Sequence, residues 1–310
     1  MTLTHIVSAK EDGLTLENLL RGPLSLSARQ SREAKKAGGI TVDGLPFFSN
    51  QRVRAGQRVR VVLSSYAPPT AQSPQTADPD LQRESAPLPG VRVLYEDDAL
   101  LAVYKPALLQ CHPSPSAPGG SDTLEARVRA HLRASAHPVH RLDAETRGIV
   151  LFAKLPYAQA HLQRQMQDGR FTKSYRAWVF GSPNPPRGEI DAPIARLTPD
   201  SFTRVVRADG QRAVTRYAVL QTVRLSVGEA SLVALEPLTG RTHQLRVHMA
   251  HIGHPLLGDA RYGTPGSRSA SLALGLSYHQ LAAISLRFEH PMTGKTLRLD
   301  CAPEFDFDAP

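Results

Sequence analysis

The amino-acid sequence predicts an α+β protein, in which a small α+β domain precedes a larger domain built on a mostly antiparallel mixed sheet. Apolar runs of strand length recur between turn residues along most of the chain, whereas few stretches repeat apolar residues with helical spacing over several turns. A length of 310 residues is enough for two domains. We therefore predict a first domain at 1–65, a linker at 66–90 and a second domain at 91–310.

The first domain is predicted to contain two short helices followed by strands. Leu16, Leu19 and Leu20 have the spacing of one helix. Ile40–Gly44 predicts a strand that enters a tight Asp-Gly turn. A second helix, stopped by Gly38, carries four basic residues, namely Arg29, Arg32, Lys35 and Lys36. Further basic residues at even spacing predict one face of strand-like backbone, and they are Arg52, Arg54, Arg58 and Arg60.

This order of elements resembles the alpha-L RNA-binding fold. In that fold the second helix and the loop after it meet RNA phosphates, so the resemblance implies RNA contacts for the four basic residues of the second helix. Such contacts supply affinity and orientation rather than sequence choice. The alternative is a solvated basic helix face that has no partner.

The linker and the second domain differ sharply in composition. Residues 66–90 are rich in Pro, Ala, Gln, Ser and Thr, which predicts an extended linker on which the small domain swings freely until RNA binds. The Pro/Ser/Gly-rich stretch 113–121 predicts a mobile loop. In the second domain, helices are predicted at 123–136 and between Pro156 and Gly169. Strands are predicted at 91–95, 99–104, 149–153, 172–180, 215–223, 230–236, 283–288 and 297–301.

Charge and cysteine content narrow the class of protein. There are 37 lysines and arginines against 28 carboxylates, a net charge of +9 and a pI near 9.8, which indicates an anionic partner, nucleic acid being the usual one. A basic protein without such a partner is the alternative. Two cysteines, the lack of a signal-peptide pattern and the lack of a long apolar run predict a cytoplasmic protein that makes no membrane contact.

A first polar motif, His140 to Gly148, lies directly before the apolar run Ile149–Ala153. This run predicts a buried strand, so Asp143 would lie at the mouth of a rigid element, fixed in position and reachable from a cleft. The alternative is that Asp143 and Thr146 only organise a turn.

A second polar motif runs from Thr239 to Asp259. Thr242 is predicted to cap the start of a helix that Gly253 stops, with Arg246 and His243 on the face away from the core. An arginine held opposite a carboxylate keeps it as an aligned anion, which is able to act as nucleophile or general base without a metal.

Two other chemistries are less well supported by the spacing. The histidines of the second motif, at 243, 248, 251 and 254, lack the paired spacing of a zinc hydrolase, and no cysteine pair is near them. We therefore predict no metal site. Cys111 and His112 are adjacent, and neighbouring residues rarely present both side chains to one substrate atom.

The motifs together resemble the RluA family of pseudouridine synthases. The resemblance rests on His140-Arg141-Leu142-Asp143, Lys173-x-Tyr175, the run Gly240 to His248, Gly253-His254-Pro255 and Gly258-Asp259, in the order of the family. Tyr95 to Asp98, Lys105-Pro106 and His112-Pro113 are similar to its opening hairpin.

The resemblance implies an enzyme that isomerises uridine in RNA, with no cofactor because substrate and product are isomers. Asp143 would be the catalytic aspartate, Tyr175 would pack against the base, and Arg246 would pair with the aspartate. The residues implied to bind substrate are Arg141, His140, Leu245, Arg241 and Lys173.

The expected substrate is ribosomal RNA, with transfer RNA as the second choice, and the expected state is a monomer. The family usually has Ser where this chain has Arg147, and we expect Arg147 to add a phosphate contact. The rival hypotheses are a non-catalytic RNA-binding or ribosome-assembly factor and a basic metal-dependent hydrolase.

Overall fold

A computed structural model describes residues 2–24, 26, 28–48, 50–63, 88–113 and 122–306. The predicted linker up to residue 87, and the predicted mobile loop beyond Pro113, lie outside the described residues.

The N-terminal unit pairs two helices with a small antiparallel sheet. Its elements are β1 (Thr2–Ile6), α1 (Leu16–Arg21), α2 (Ala28–Lys36), β2 (Ile40–Val42), β3 (Leu45–Pro46) and β4 (Arg58–Val62). The strands are ordered β1-β4-β2-β3. Leu16, Leu19 and Leu20 are fully buried, which confirms the first helix, and the Thr15 side chain caps that helix by accepting a hydrogen bond from the Asn18 N–H at 3.2 Å.

Two details of this unit differ from the sequence prediction. The strand β1, which pairs with β4 from Thr2↔Val62 to Ile6↔Arg58, was not predicted. The proposed basic strand face is shorter than expected. Arg58 and Arg60 are exposed on β4, whereas Arg52 and Arg54 precede that strand. Gly56 has a φ of 86°, so the chain turns between the two pairs of arginines.

The rest of the chain forms a larger mixed sheet with helices packed against it. Its strands are β5 (Arg92–Glu96), β6 (Leu100–Lys105), β7 (His137–Pro138), β8 (Arg147–Ala153), β9 (Thr172–Phe180), β10 (Arg187–Asp191), β11 (Ile194–Arg196), β12 (Arg204–Val206), β13 (Val214–Leu225), β14 (Gly228–Pro237), β15 (Leu281–Glu289) and β16 (Thr296–Asp300). Its helices are α3 (Leu124–Leu132), α4 (Pro156–Gln167), α5 (Gln244–His251) and α6 (Pro265–Ala273).

Within the described residues the main sheet has the strand order β10-β13-β14-β9-β15-β8-β6-β5. Every pairing along this path is antiparallel except β8 with β15, so the predicted α+β class with a mostly antiparallel sheet is confirmed. The strands β11 and β12 form a separate hairpin. The helix α3 ends at Leu132, earlier than the predicted residue 136, because Arg133 turns the chain with left-handed backbone (φ 48°).

The parallel pair at the centre of the sheet depends on a glycine. Gly148 has a φ of 115°, and a Cβ placed there would lie 2.1 Å from the backbone oxygen of Ala283 on β15. Only glycine allows β15 to come this close, directly after the motif that carries Asp143.

The N-terminal unit packs against α4 of the larger part. Tyr157 is 2% exposed and belongs to the hydrophobic core of the N-terminal unit, together with residues such as Leu20 and Val59. Arg164, two turns further along α4, donates a hydrogen bond to the carbonyl oxygen of Gly22. These contacts do not fit the freely swinging small domain that the linker composition predicts, because a buried aromatic ring holds the two parts together.

Candidate active site

A pocket opens where both polar motifs meet the ends of strands in the main sheet. Its lining includes Asp143 before β8, Lys173 and Tyr175 on β9, the stretch from Thr239 to Arg246, and Leu281 on β15. Every residue predicted to act in catalysis or substrate binding lines this pocket except His140.

At the back of the pocket, Arg246 lies between two carboxylates. Its Nε and Nη2 donate hydrogen bonds of 2.7 and 2.9 Å to the two oxygens of Asp259, and its Nη1 donates one of 3.2 Å to Oδ2 of Asp143. The two-point contact with Asp259 fixes the plane of the guanidinium, which in turn aims it at Asp143.

The Arg246–Asp259 pair is buried. Burial raises the pKa of Asp259, but Arg246 outweighs it, so the net pKa lies below the ordinary value. Burial likewise opposes the charged form of Arg246, and the two aspartates raise its pKa. Arg246 and Asp259 therefore keep each other charged. The charged Arg246 is then available to orient the side chain of Asp143, which is 31% exposed.

Asp143 is reachable from the pocket through one oxygen. Arg246 and His243 both approach Oδ2, at 3.2 and 3.8 Å. No hydrogen bond from a described residue reaches Oδ1. The arrangement leaves an oriented carboxylate oxygen for reaction.

The apolar part of the lining includes Tyr175, Leu245 and Leu281, which are 6%, 6% and 4% exposed. Burial, together with the charge of Asp143, raises the pKa of the Tyr175 hydroxyl. A neutral phenol beside two leucines suits a flat uncharged ring such as a nucleobase.

Basic residues occupy the mouth of the pocket. Arg141 and Arg241 are exposed, and Lys173 is enclosed enough for burial to lower its pKa. The Nε of Arg241 donates to the carbonyl oxygen of Arg212 at 2.9 Å, which leaves the Nη groups available for a phosphate. The mouth therefore suits an anionic chain.

His140, predicted to bind substrate, lies elsewhere. Its Nε2 accepts a hydrogen bond from the Leu151 N–H at 3.3 Å, and its ring packs edge-on against Phe171. Burial, with Lys173 nearby, lowers its pKa to about 3. β8 and the ring of Phe171 thus enclose the imidazole, and His140 is not among the residues that line the pocket, contrary to the prediction.

Arg147, expected to contact a phosphate, has partners within the protein instead. Its side chain is 8% exposed, and its Nη2 donates 2.7 Å hydrogen bonds to Oδ2 of Asp306 and to the hydroxyl of Tyr278. It also donates to the carbonyl oxygen of Glu304. Arg147 is thus paired with the C-terminal segment, and it does not line the pocket.

The helix α5 begins one residue later than predicted. His243, not Thr242, is the cap residue, with left-handed backbone at φ 58° and ψ 16°. The Gln244 side chain accepts hydrogen bonds from Thr239 and from the Arg241 N–H, at 2.7 and 2.9 Å. These bonds close the turn in place of a Thr242 cap.

Outside the pocket, the four basic residues predicted to bind RNA are all exposed on α2. Arg29 pairs with Glu33, and Lys35 pairs with Glu17 of α1. Arg32 and Lys36 complete the basic face.

The described residues give little support for metal or thiol chemistry. Over residues 2–63, 88–113 and 122–306, as far as they are described, no group of three or more His, Cys, Asp or Glu side chains is placed to hold a metal. Cys111 is buried, which raises the pKa of its thiol, and its Sγ accepts a hydrogen bond from the Leu142 N–H at 3.3 Å. This contact makes the thiol a support for the Asp143 loop. None of the described helices is long and apolar enough to cross a membrane.

The sequence did not indicate a functional role for three residues of the site, which are Lys105, His243 and Tyr262. The ammonium of Lys105 donates to the Ala144 carbonyl beside Asp143, and His243 contacts both Asp143 and Tyr262. A Lys-Pro pair ending a buried strand was the available signal for Lys105. Nothing in the local sequence marks Tyr262.

The mixed sheet, the aspartate–arginine pair and the basic mouth define an enzyme that acts on a nucleobase within an anionic chain. Residues 99–251 match the family described as RNA pseudouridylate synthase. An uncharacterized RNA pseudouridine synthase of Aquifex aeolicus is 35% identical over 271 residues, covering 83% of this chain and 81% of its own.

Two further similarities cover most of the chain. The ribosomal large subunit pseudouridine synthase D of Vibrio vulnificus is 31% identical over 320 residues, covering 99% of this chain and 90% of its own. Human RNA pseudouridylate synthase domain containing 1 has a similar structure, with a TM-score of 0.58, 26% identity and coverage of 71% of this chain and 86% of its own. The chain belongs to the RluA family of RNA pseudouridine synthases, which are isomerases.

Proposed function

We propose that this enzyme converts uridine to pseudouridine in structured large-subunit ribosomal RNA, with Asp143 as the reacting carboxylate and without a cofactor. The observation that carries the proposal is the 3.2 Å contact between Arg246 and Asp143 in a pocket that Tyr175 also lines. The ribosomal substrate is supported by the relative in Vibrio vulnificus, whose name states it, and by the basic N-terminal unit. A ribosomal substrate also favours the cytoplasm as the site of action.

The chemistry requires few groups. The bond between N1 of uracil and C1′ of the ribose breaks, the base turns, and C5 bonds to C1′ as its proton leaves and N1 gains one. Substrate and product are isomers, so no electrons enter or leave. Asp143 either attacks C1′ or takes the C2′ proton, and either step uses the oxygen that Arg246 does not occupy.

The remaining side chains bind and orient. Tyr175 and Leu245 hold the flipped base, because a base inside a duplex is not free to turn. Arg141, Lys173 and Arg241 hold the phosphates around it. The α2 face, formed by Arg29, Arg32, Lys35 and Lys36, binds a separate part of the RNA and adds affinity without choosing the base.

Pseudouridine mapping in cells that lack the protein tests the proposal. Large-subunit and transfer RNA are mapped after complementation with wild type, with Asp143→Asn, or with Asp209→Asn as a control at an exposed aspartate. We expect a ribosomal site to lose its mark and only wild type and the control to restore it. Restoration by Asp143→Asn contradicts the role of the aspartate, and a lost mark confined to transfer RNA contradicts the substrate.

A further inference from the structure

His243 stands in a strained position between two cavities. It is a non-glycine residue with left-handed backbone, a conformation that costs free energy and persists where its surroundings hold it. Together with Asp143 and Arg246, it lines both the pocket described above and a second cavity of about 440 Å³ next to it. Its placement is therefore tied to the carboxylate.

The His243 ring is held by Tyr262. Its Nδ1 lies 2.7 Å from the Tyr262 hydroxyl, and the two rings meet edge to face with centroids 5.7 Å apart. Tyr262 is in turn positioned by its backbone N–H, which donates to Oδ1 of Asp259 at 3.1 Å, and by the guanidinium of Arg246 over its ring at 5.0 Å. The contacts of the His243 side chain with Tyr262 thus support its strained backbone.

The hydrogen bonds continue to the β11–β12 hairpin. The Tyr262 hydroxyl accepts a hydrogen bond of 2.9 Å from the backbone N–H of Arg204, the first residue of β12. The loop of that hairpin carries Leu197 and Phe202, which are 52% and 61% exposed. An exposed aromatic ring among arginines suits contact with RNA bases and phosphates.

These hydrogen bonds and the nearby carboxylate favour the tautomer of His243 whose proton lies on Nε2. The Tyr262 hydroxyl proton is free to be donated to Nδ1, which places the imidazole proton on Nε2, 3.8 Å from Oδ2 of Asp143. The other tautomer would turn a lone pair of Nε2 toward the carboxylate. Burial lowers the pKa of His243 to about 4; Asp143 opposes this, and the arginines at 246, 261 and 204 add to it. The ring is therefore neutral, and its Nε2 faces Asp143.

We propose that His243 is a positioning residue for Asp143, and that it couples the carboxylate to the β11–β12 hairpin through Tyr262. When RNA seats the hairpin, the Arg204 N–H holds the Tyr262 hydroxyl, the hydroxyl holds the imidazole, and the imidazole keeps its Nε2 beside Oδ2, at a distance of 3.8 Å. The other oxygen of Asp143 then meets the ribose in one orientation. This inference rests on the proposed function of Asp143.

The test removes single polar groups from this series of contacts. Tyr262→Phe deletes the hydroxyl and keeps the ring beneath Arg246. Tyr217→Phe is the matched control, because that hydroxyl donates to the carbonyl oxygen of Pro185 at 3.1 Å and does not line the pocket. We expect Tyr262→Phe to lower kcat about tenfold or more while KM for RNA changes less than about twofold, and Tyr217→Phe to leave both unchanged.

Two variants of His243 separate positioning from folding. His243→Leu removes the donor and is expected to lower kcat at least as much as Tyr262→Phe, whereas His243→Gln keeps an N–H donor and is expected to recover most of the rate. The double variant Tyr262→Phe/His243→Leu is expected to be no slower than His243→Leu alone, since both break the same chain.

Single-turnover kinetics and filter binding distinguish the outcomes. Both use an unmodified RNA fragment that contains the target uridine. If Asp143→Asn keeps activity, the proposed function itself fails. If Asp143→Asn is inactive and Tyr262→Phe matches Tyr217→Phe, only the coupling is overturned. An equal loss in His243→Gln and His243→Leu, or a loss carried by KM, also overturns it.

Discussion

The ammonium group of Lys105 donates a hydrogen bond of 2.7 Å to the carbonyl oxygen of Ala144, the residue after Asp143. It also donates to the carbonyl oxygens of Pro106 and Leu109, at 2.9 and 2.8 Å, and its side chain is fully buried. Burial lowers its pKa to about 8. A buried cation thus holds the Asp143 loop from behind, through backbone oxygens alone.

Replacing Lys105 by Met is expected to destabilise the protein by about 3 kcal/mol or more, because buried carbonyl oxygens lose their donor. It is also expected to lower kcat, since the Asp143 loop loses its support. Lys154→Met is the control. Lys154 pairs with Glu96 near the surface, and its loss is expected to cost less than about 1 kcal/mol. Urea unfolding measures both variants, and equal losses would contradict the support by Lys105.

Arg147→Ser, which restores the residue usual in the family, is expected to release the C-terminal segment without weakening RNA binding. The guanidinium contacts Asp306, Glu304 and Tyr278, so its loss frees residues 301–306. Hydrogen exchange is expected to speed up in that segment, and the salt dependence of RNA affinity to stay unchanged. Arg141→Ser is the contrasting variant, for which the salt slope is expected to fall by about one. A lower slope in Arg147→Ser would return that arginine to the RNA interface.

The central features of the site were predictable because local pattern and motif order both indicated them. The β9 strand has the predicted bounds, Thr172–Phe180, since a run that contains three aromatic residues ends there and is followed by Gly181 and Pro183. The pair of Asp143 and Arg246 joins residues 103 positions apart, a contact that the family resemblance predicted and that periodicity does not contain.

Other features depend on tertiary partners. Arg147 looked like a cation beside a cleft because its partner Asp306 lies 159 residues further on. His243 has a left-handed backbone and contacts Tyr262, which lies 19 residues further on, and no local residue preference predicts either feature. The strands β11 and β12 have only three residues each, too few for a periodic signal.

His140 is expected to make the protein sensitive to acid. Its pKa is lowered from 6.5 to about 3 in the folded state, so the unfolded chain binds the proton more readily in that range. Its contribution to stability is complete above about pH 6.5 and is lost as the pH falls toward 3, at up to about 1.4 kcal/mol per pH unit. His140→Gln keeps an acceptor for the Leu151 N–H and does not titrate. The unfolding free energy of wild type minus that of this variant is expected to be constant near pH 8. It is expected to fall as the pH is lowered. A difference that stays flat down to about pH 4 would contradict the burial of a neutral ring.

Tyr157 is expected to hold the N-terminal unit against the larger part of the chain. Its ring is 2% exposed within the core of that unit although it belongs to α4, and its hydroxyl donates to the carbonyl oxygen of Pro291 at 3.3 Å. Tyr157→Ala removes the ring and is expected to cost about 3–5 kcal/mol of packing. Tyr157→Phe keeps the ring and removes only the hydroxyl, so it is the matched control.

In small-angle scattering, Tyr157→Ala is expected to show a larger radius of gyration than wild type, and its thermal unfolding is expected to separate into two transitions. Tyr157→Phe is expected to match wild type in both measurements. If Tyr157→Ala also scatters like wild type and unfolds in one transition, the hydrogen bond from Arg164 to the Gly22 carbonyl and the packing around it hold the two parts without the ring. The contact that joins the N-terminal unit to the larger part would then be polar rather than aromatic, and Arg164→Ala would be the variant that separates them.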